Sequence, residues 1–224
     1  MDILKTISSE LSISEKQTEA AVKLIDEGNT IPFIARYRKE VTGSLDDTVL
    51  RNLNDRLTYL RNLDARREEV RGAIASQDKL TPEISAALDG AVILAEIEDI
   101  YRPFKPHRKT RADAARERGL EPLAEYISAQ NKKYAVSIPD EAAKYIDPEK
   151  EIQTADDAIN GACDIIAEDI SDNADYRKRI RELSVEFGTL STEKTGEDPD
   201  GTYTMYYEFS EKLSEIPGHR VLAI

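Results

Sequence analysis

Leu50, Leu53, Leu57, Leu60, Leu63, Val70 and Ile74 follow one another at steps of mostly three, four or seven, with no proline among them. That spacing lines apolar side chains along one side of a 3.6-residue helix. Asp46 or Asp47 is placed to cap its start. At about 1.5 Å per residue the element reaches roughly 45 Å, longer than the core of a small domain, so it acts as a spine for shorter helices. Arg51, Arg56, Arg61, Arg66, Arg67 and Arg71 lie between the apolar positions with Asp55, Asp64, Glu68 and Glu69. Mixed signs at this density read as a solvated face laced by local pairs.

The rest of the chain agrees with a helical protein. Ten glycines and nine prolines in 224 residues are about 8%, against roughly 12% in an average protein, which argues against a loop-rich β-sandwich. Ser14-Glu15-Lys16-Gln17 is a capping box, opening a helix over 15–27 that Gly28 stops. Thr30 and Pro32 open a second helix that ends before Thr42-Gly43. The two form a corner of the helix-turn-helix kind. Thr81-Pro82, Thr110, Glu121-Pro122, Pro139-Asp140, Thr154 or Asp156, and Asn173 open further helices, giving αα-hairpins. Residues 190–201 read as a disordered loop. Residues 203–209, Tyr-Thr-Met-Tyr-Tyr-Glu-Phe, read as one short strand, an extended arm or an aromatic clip on helices. The expected architecture is all-α, with a helical domain over 1–130 and a helical continuation over 131–224.

Catalytic chemistry finds little footing. There is no Walker-type phosphate loop, no dinucleotide glycine pattern and no histidine pair at metal spacing; His107 and His219 are the two imidazoles. Asp46/Asp47, Glu96/Glu98/Asp99 and Asp156/Asp157 could gather a divalent cation, but carboxylates so placed on helices usually serve as caps or solvated charge. No catalytic residue, cofactor or metal is assigned, and the chain is expected not to be an enzyme. Cys163 is the single cysteine and cannot form an internal disulfide. The N-terminus lacks the apolar run of a signal peptide, and no apolar stretch reaches about 18 residues. The expected location is cytoplasmic, without membrane contact.

Charge is unevenly distributed. The chain carries 31 basic and 44 acidic residues, a net −13, which ordinarily opposes nucleic-acid binding. Between Arg102 and Arg118, however, seven basic residues face two acidic ones. Arg102, Lys105, His107, Arg108, Lys109 and Arg111 are interleaved with Tyr101 and Phe104 and stiffened by Pro103 and Pro106, which forbid a continuous helix. Such a loop suits phosphates, with an aromatic face for a base; internal pairing with the acidic remainder is the competing reading. Arg36, Arg38 and Lys39 form a second candidate group, as part of a recognition helix or as cations suited to a helix C-terminus.

Three segments carry a family resemblance. Residues 31–40, Ile-Pro-Phe-Ile-Ala-Arg-Tyr-Arg-Lys-Glu, followed by Thr42-Gly43 and Leu45-Asp46-Asp47, are the first. Residues 98–106 with Arg108-Lys109-Thr110 and 119–124 are the second. Ile216-Pro217 with residues 219–224 are the third. In this order they resemble the N-terminal region of the bacterial Tex family of transcription accessory proteins, departing at Gly218, where the family typically has serine. The resemblance implies a parent that binds nucleic acid, associates with RNA polymerase or other transcription machinery, and is related to a eukaryotic elongation factor. It also implies an RNase H-like domain, a helix-hairpin-helix region and an OB-fold RNA-binding module beyond residue 224, so that this chain is expected to be a truncated portion. On that basis the chain is the helical scaffold of a nucleic-acid-binding factor, contacting RNA or DNA weakly through its basic surface. The alternative is a protein-interaction scaffold that makes no such contact.

Overall fold

The computed structural model describes residues 2–130 and 136–224 of the chain. It is predominantly α-helical, with one small sheet among the described residues. The backbone falls into two compact units, Met1–Phe104 and Lys105–Ile224. The boundary that the sequence places between 130 and 131 adjoins residues 131–135, which lie outside the described residues.

In the first unit, α1 (Ile3–Leu11) is opened by the Asp2 carboxylate, which accepts from the Lys5 amide at 3.2 Å. This helix escaped the sequence reading. The capping box of Ser14 and Gln17 forms and starts α2 (Glu15–Asp26). Thr30 precedes α3 (Ile31–Tyr37), but its side chain makes no capping bond. The single helix expected to end just before Thr42-Gly43 is broken at Arg38, whose backbone leaves the helical region at φ −130°, ψ 24°. A separate turn, α4 (Lys39–Thr42), follows and ends at Gly43, whose φ is +64°. The Thr42 hydroxyl donates to the Arg38 carbonyl at 3.2 Å, closing that turn, and Gln17 Nε2 donates to the Gly43 carbonyl at 3.1 Å.

The spine is α5 (Asp47–Ala75), 29 residues long and capped by Asp46. Leu50, Leu53, Leu57, Leu60, Leu63, Val70 and Ile74 are all buried along it, with Ile7, Ala21, Ile34, Leu88 and Ile97 completing the core. The helices α1, α2, α3, α6 (Pro82–Gly90) and α7 (Leu94–Tyr101) pack on α5. Burying each such leucine contributes roughly 1.5–3 kcal/mol.

The arginines of α5 form the expected solvated, locally paired face only in part. Arg56 pairs with Glu10 of α1 at 2.6 Å, Arg61 with Asp26 of α2 at 2.7 Å, Arg66 with Glu98 of α7 at 2.7 Å and Arg71 with Asp89 of α6 at 2.7 Å. Arg67 is only 2% exposed. Its Nε donates to the Leu88 carbonyl at 2.8 Å and its Nη2 to the Ala91 carbonyl at 2.9 Å, while Nη1 meets Asp64. Local pairs account for part of the charge, and the remainder clamps the surrounding helices.

In the second unit, Thr110 and Asp113 form a capping box at α8 (Arg111–Glu117), and α9 (Glu121–Ser128) and α10 (Ile138–Ala142) follow. A second capping box, Thr154 with Asp157, opens α11 (Ala155–Asp172). Ala112, Ala115, Leu120, Leu123, Ala142, Ile152, Ala158, Ala162 and Ile165 make this core. Gly161 permits it: a Cβ there would lie 2.4 Å from Leu120 Cδ1. Asn173 caps α12 (Ala174–Phe187), none of whose residues is buried.

Part of the expected disordered loop is a strand. β1 (Thr189–Glu193) pairs antiparallel with β2 (Glu208–Lys212), Ser191 facing Ser210. Only the last two residues of the expected strand at 203–209 lie in β2; Thr204–Tyr206 is a 3₁₀ turn. The Asp198 carboxylate explains the difference, since it accepts from the amides of Thr202 and Tyr203 and from the Tyr207 hydroxyl, curling the segment back. A short helix, α13 (Gly218–Ala223), holds residues 219–223 of the third resemblance segment.

Candidate nucleic-acid interface

The basic loop begins as a 3₁₀ turn over Arg102–Phe104, held where Gln77 Nε2 donates to the Phe104 carbonyl at 3.0 Å. It then runs without helix from 105 to 110 and ends at the Thr110 cap. Proline at 103 and 106 removes two backbone donors, which is why helix does not resume sooner. Arg102, Lys105, His107, Arg108, Lys109 and Arg111 are all exposed, as the sequence requires of a contact surface.

Several of these cations are already engaged. Lys109 Nζ lies 2.5 Å from Glu117, and the Arg111 guanidinium lies 3.2 Å from Asp164. His107 Nδ1 lies 2.9 Å from the Arg108 carbonyl and 3.6 Å from Asp113. The Arg108 carbonyl, then Asp113, Glu168 and Asp172 raise the pKa of this imidazole. Arg102 and Lys105 also interact with neighbouring groups. Among the described residues the Arg108 side chain makes no ion pair. Exposed pairs of this kind are worth little in water and exchange readily for a competing anion.

The second candidate group is arranged differently from its sequence reading. Arg36 sits in the last turn of α3, Arg38 at the break, and Lys39 at the start of α4. The three therefore do not share one helix C-terminus: Arg36 and Arg38 lie at the end of α3, and Lys39 belongs to the single turn of α4. Ile34, fully buried, anchors α3 in the core, while Phe33 and Tyr37 pack ring against ring at 5.3 Å. The Arg38 guanidinium lies 5.1 Å from the centre of the Phe33 ring and donates to the Tyr37 carbonyl at 3.1 Å.

Comparison with known proteins completes the picture. The family profile described as Tex-like protein N-terminal domain matches residues 1–75, and that described as Tex central region-like matches 135–224. The protein tex of Bordetella pertussis is 43% identical over 224 residues, covering 99% of this chain and 28% of its own length. The transcriptional accessory protein Tex of Neisseria gonorrhoeae is 37% identical over 226 residues, covering 100% of this chain and 29% of its own. The chain belongs to the Tex family.

A human relative, S1 RNA-binding domain-containing protein 1, is 27% identical over 233 residues, all of this chain and 23% of that protein. This Tex chain thus spans under a third of the length of the curated relatives it matches. The segment at 31–47 falls in the N-terminal match and 216–224 in the central one, while the basic loop lies between them.

The neighbouring carboxylates of this Tex chain have structural partners. Asp46 caps α5, Asp47 pairs with Arg51 at 2.6 Å, Glu96 accepts from the Val92 amide at 2.8 Å, Glu98 meets Arg66, and Asp157 caps α11. Among the described residues no three His, Cys, Asp or Glu side chains gather as metal ligands, and no helix is long and apolar enough to cross a membrane. Sequence reasoning missed Arg67. The seven-residue step between Leu63 and Val70 was its signal, because position 67 falls on the same apolar stripe.

Proposed function

We propose that this chain is the helical scaffold of a nucleic-acid-binding transcription accessory factor, with an auxiliary contact surface on the loop carrying Arg102, Lys105, His107, Arg108, Lys109 and Arg111. Membership of the Tex family carries the reading, since one relative bears the name of a transcriptional accessory protein and another that of an S1 RNA-binding protein. Exposure of all six side chains supports the choice of loop. The scaffold positions nucleic acid without transforming it, in the cytoplasm, and RNA polymerase or associated machinery is the proposed protein partner.

The test titrates fluorescent single- and double-stranded DNA and RNA at low salt. The native chain is compared with a variant carrying Arg102, Lys105, Arg108, Lys109 and Arg111 changed to Gln. Four or five neutralised phosphates give a log-log salt slope of about −4 on duplex DNA. The variant is expected to lose most of that slope. Equal binding by both chains overturns the role of the loop.

A protein-interaction scaffold is the second reading, favoured by the pairing of Lys109 and Arg111 with carboxylates and by Ile180 and Phe187 of α12, which are 62% and 69% exposed. Retention of RNA polymerase in a pull-down, insensitive to the five changes, selects it.

A further inference from the structure

The molecule pairs its arginines with unusual thoroughness in one place and leaves them unpaired in another. All six arginines of α5 have a carboxylate within ion-pair distance. Arg36, Arg38 and Lys39 have none among the described residues, although the chain as a whole is acidic. Glu40 is the sole carboxylate between positions 31 and 45. Glu15 and Glu19 of α2, the helix packed against α4, make no pair with these cations.

Beside the cations stands an aromatic platform. Tyr37 is 61% exposed, and its ring is backed by Phe33. Phe33 holds Arg38 across its own ring at 5.1 Å. The support underneath is rigid: Ile34 is fully buried, the Thr42 hydroxyl closes α4, and the Gly43 carbonyl is tied to Gln17 of α2. The break at Arg38 thus displays three cations and one aromatic ring within four consecutive residues, at little further ordering cost.

We infer that the α3–α4 junction, formed by Arg36, Tyr37, Arg38 and Lys39, binds single-stranded nucleic acid, with one base stacked on Tyr37 and adjacent phosphates on the three cations. Uncompensated cations favour a polyanion, and an exposed ring beside them favours a base that is not paired in a duplex. An acidic peptide satisfies the charges but gives the ring nothing flat to stack on. The inference rests on the nucleic-acid reading above and places a second contact at a different part of the chain.

The experiment measures fluorescence anisotropy of labelled oligo-dT and oligo-U, and of a duplex of equal length, on the 224-residue chain across a salt series. Four variants are compared: Arg36→Gln/Arg38→Gln/Lys39→Gln, Tyr37→Ala, Tyr37→Phe, and the five-glutamine loop variant. Circular dichroism melts confirm that each is folded. The triple variant is expected to bind single strands at least tenfold more weakly, with a log-log salt slope shallower by about 2. Tyr37→Ala loses roughly tenfold with the slope unchanged, and Tyr37→Phe restores binding, because the ring alone stacks.

Native-like binding by the triple variant and by Tyr37→Ala overturns the inference. If the loop variant has then lost binding, the loop reading stands without it. Loss in the junction variants but not in the loop variant supports the junction and overturns the loop. No oligonucleotide binding by the native chain overturns both. Competition by a poly-glutamate peptide as effective as by the oligonucleotide, with Tyr37→Ala unaffected, assigns the junction to an acidic protein and also overturns the inference.

Discussion

At position 67 the apolar stripe of α5 carries an arginine, and that side chain does what leucine cannot. The carbonyls of Leu88 and Ala91 stand at the end of α6, where backbone donors run short: Leu88 accepts from the Ala91 amide at 3.3 Å, a long bond. Arg67 reaches both, and Asp64 balances its charge from a partly exposed position. Burial of a charge is tolerated because its donors are satisfied. Arg67→Leu is expected to destabilise the chain by roughly 1–3 kcal/mol, since the Ala91 carbonyl loses its donor and the Leu88 carbonyl is left with the Ala91 amide alone. Chemical denaturation followed by circular dichroism measures it, and an unchanged midpoint would mean that water replaces the guanidinium.

Helices α5 and α11 show two ways in which an element depends on its surroundings. The α5 ladder of leucines was legible because helical periodicity repeats within a few residues. The destinations of Arg56 and Arg61 were not, since Glu10 and Asp26 lie 46 and 35 positions away. In α11, glycine at 161 weakens the helix by itself, yet it gives Leu120 the space it occupies. Gly161→Ala therefore pits a helix-propensity gain of about 1 kcal/mol against overpacking of typically 1–3 kcal/mol. The expected outcome is a lower melting temperature. A higher one would show that Leu120 repacks freely.

Over the whole molecule, carboxylates held in their charged form set the response to acid. Arg56 and Arg61 hold Glu10 and Asp26 below their ordinary pKa values, the Thr110 amide does so for Asp113, the Thr154 hydroxyl for Asp157, and the Tyr203 amide for Asp198. A lowered folded-state pKa contributes stability that is complete above the unfolded value and is lost as pH falls through the folded one. The melting temperature is thus expected to hold steady from pH 7 to about 5 and to fall below about 4. A thermal melt series checks this, and a flat profile down to pH 2 contradicts it.

By itself the sequence determined the helical class, the spine, the capping box at Ser14, the helix starts near Thr110 and Thr154, the exposed loop at 102–111 and the family. Each of these rests on interactions between residues a few positions apart, or on an ordered set of short segments. Only the tertiary structure decided the break at Arg38, the burial of Arg67, the curl around Asp198 and the pairing of β1 with β2. Each depends on groups that chain folding brings together from a distance, or on a local backbone choice that periodicity does not encode. The same physics separates paired cations from unpaired ones: charge is written in the sequence, but its neutralisation is a matter of which carboxylate folding delivers within reach.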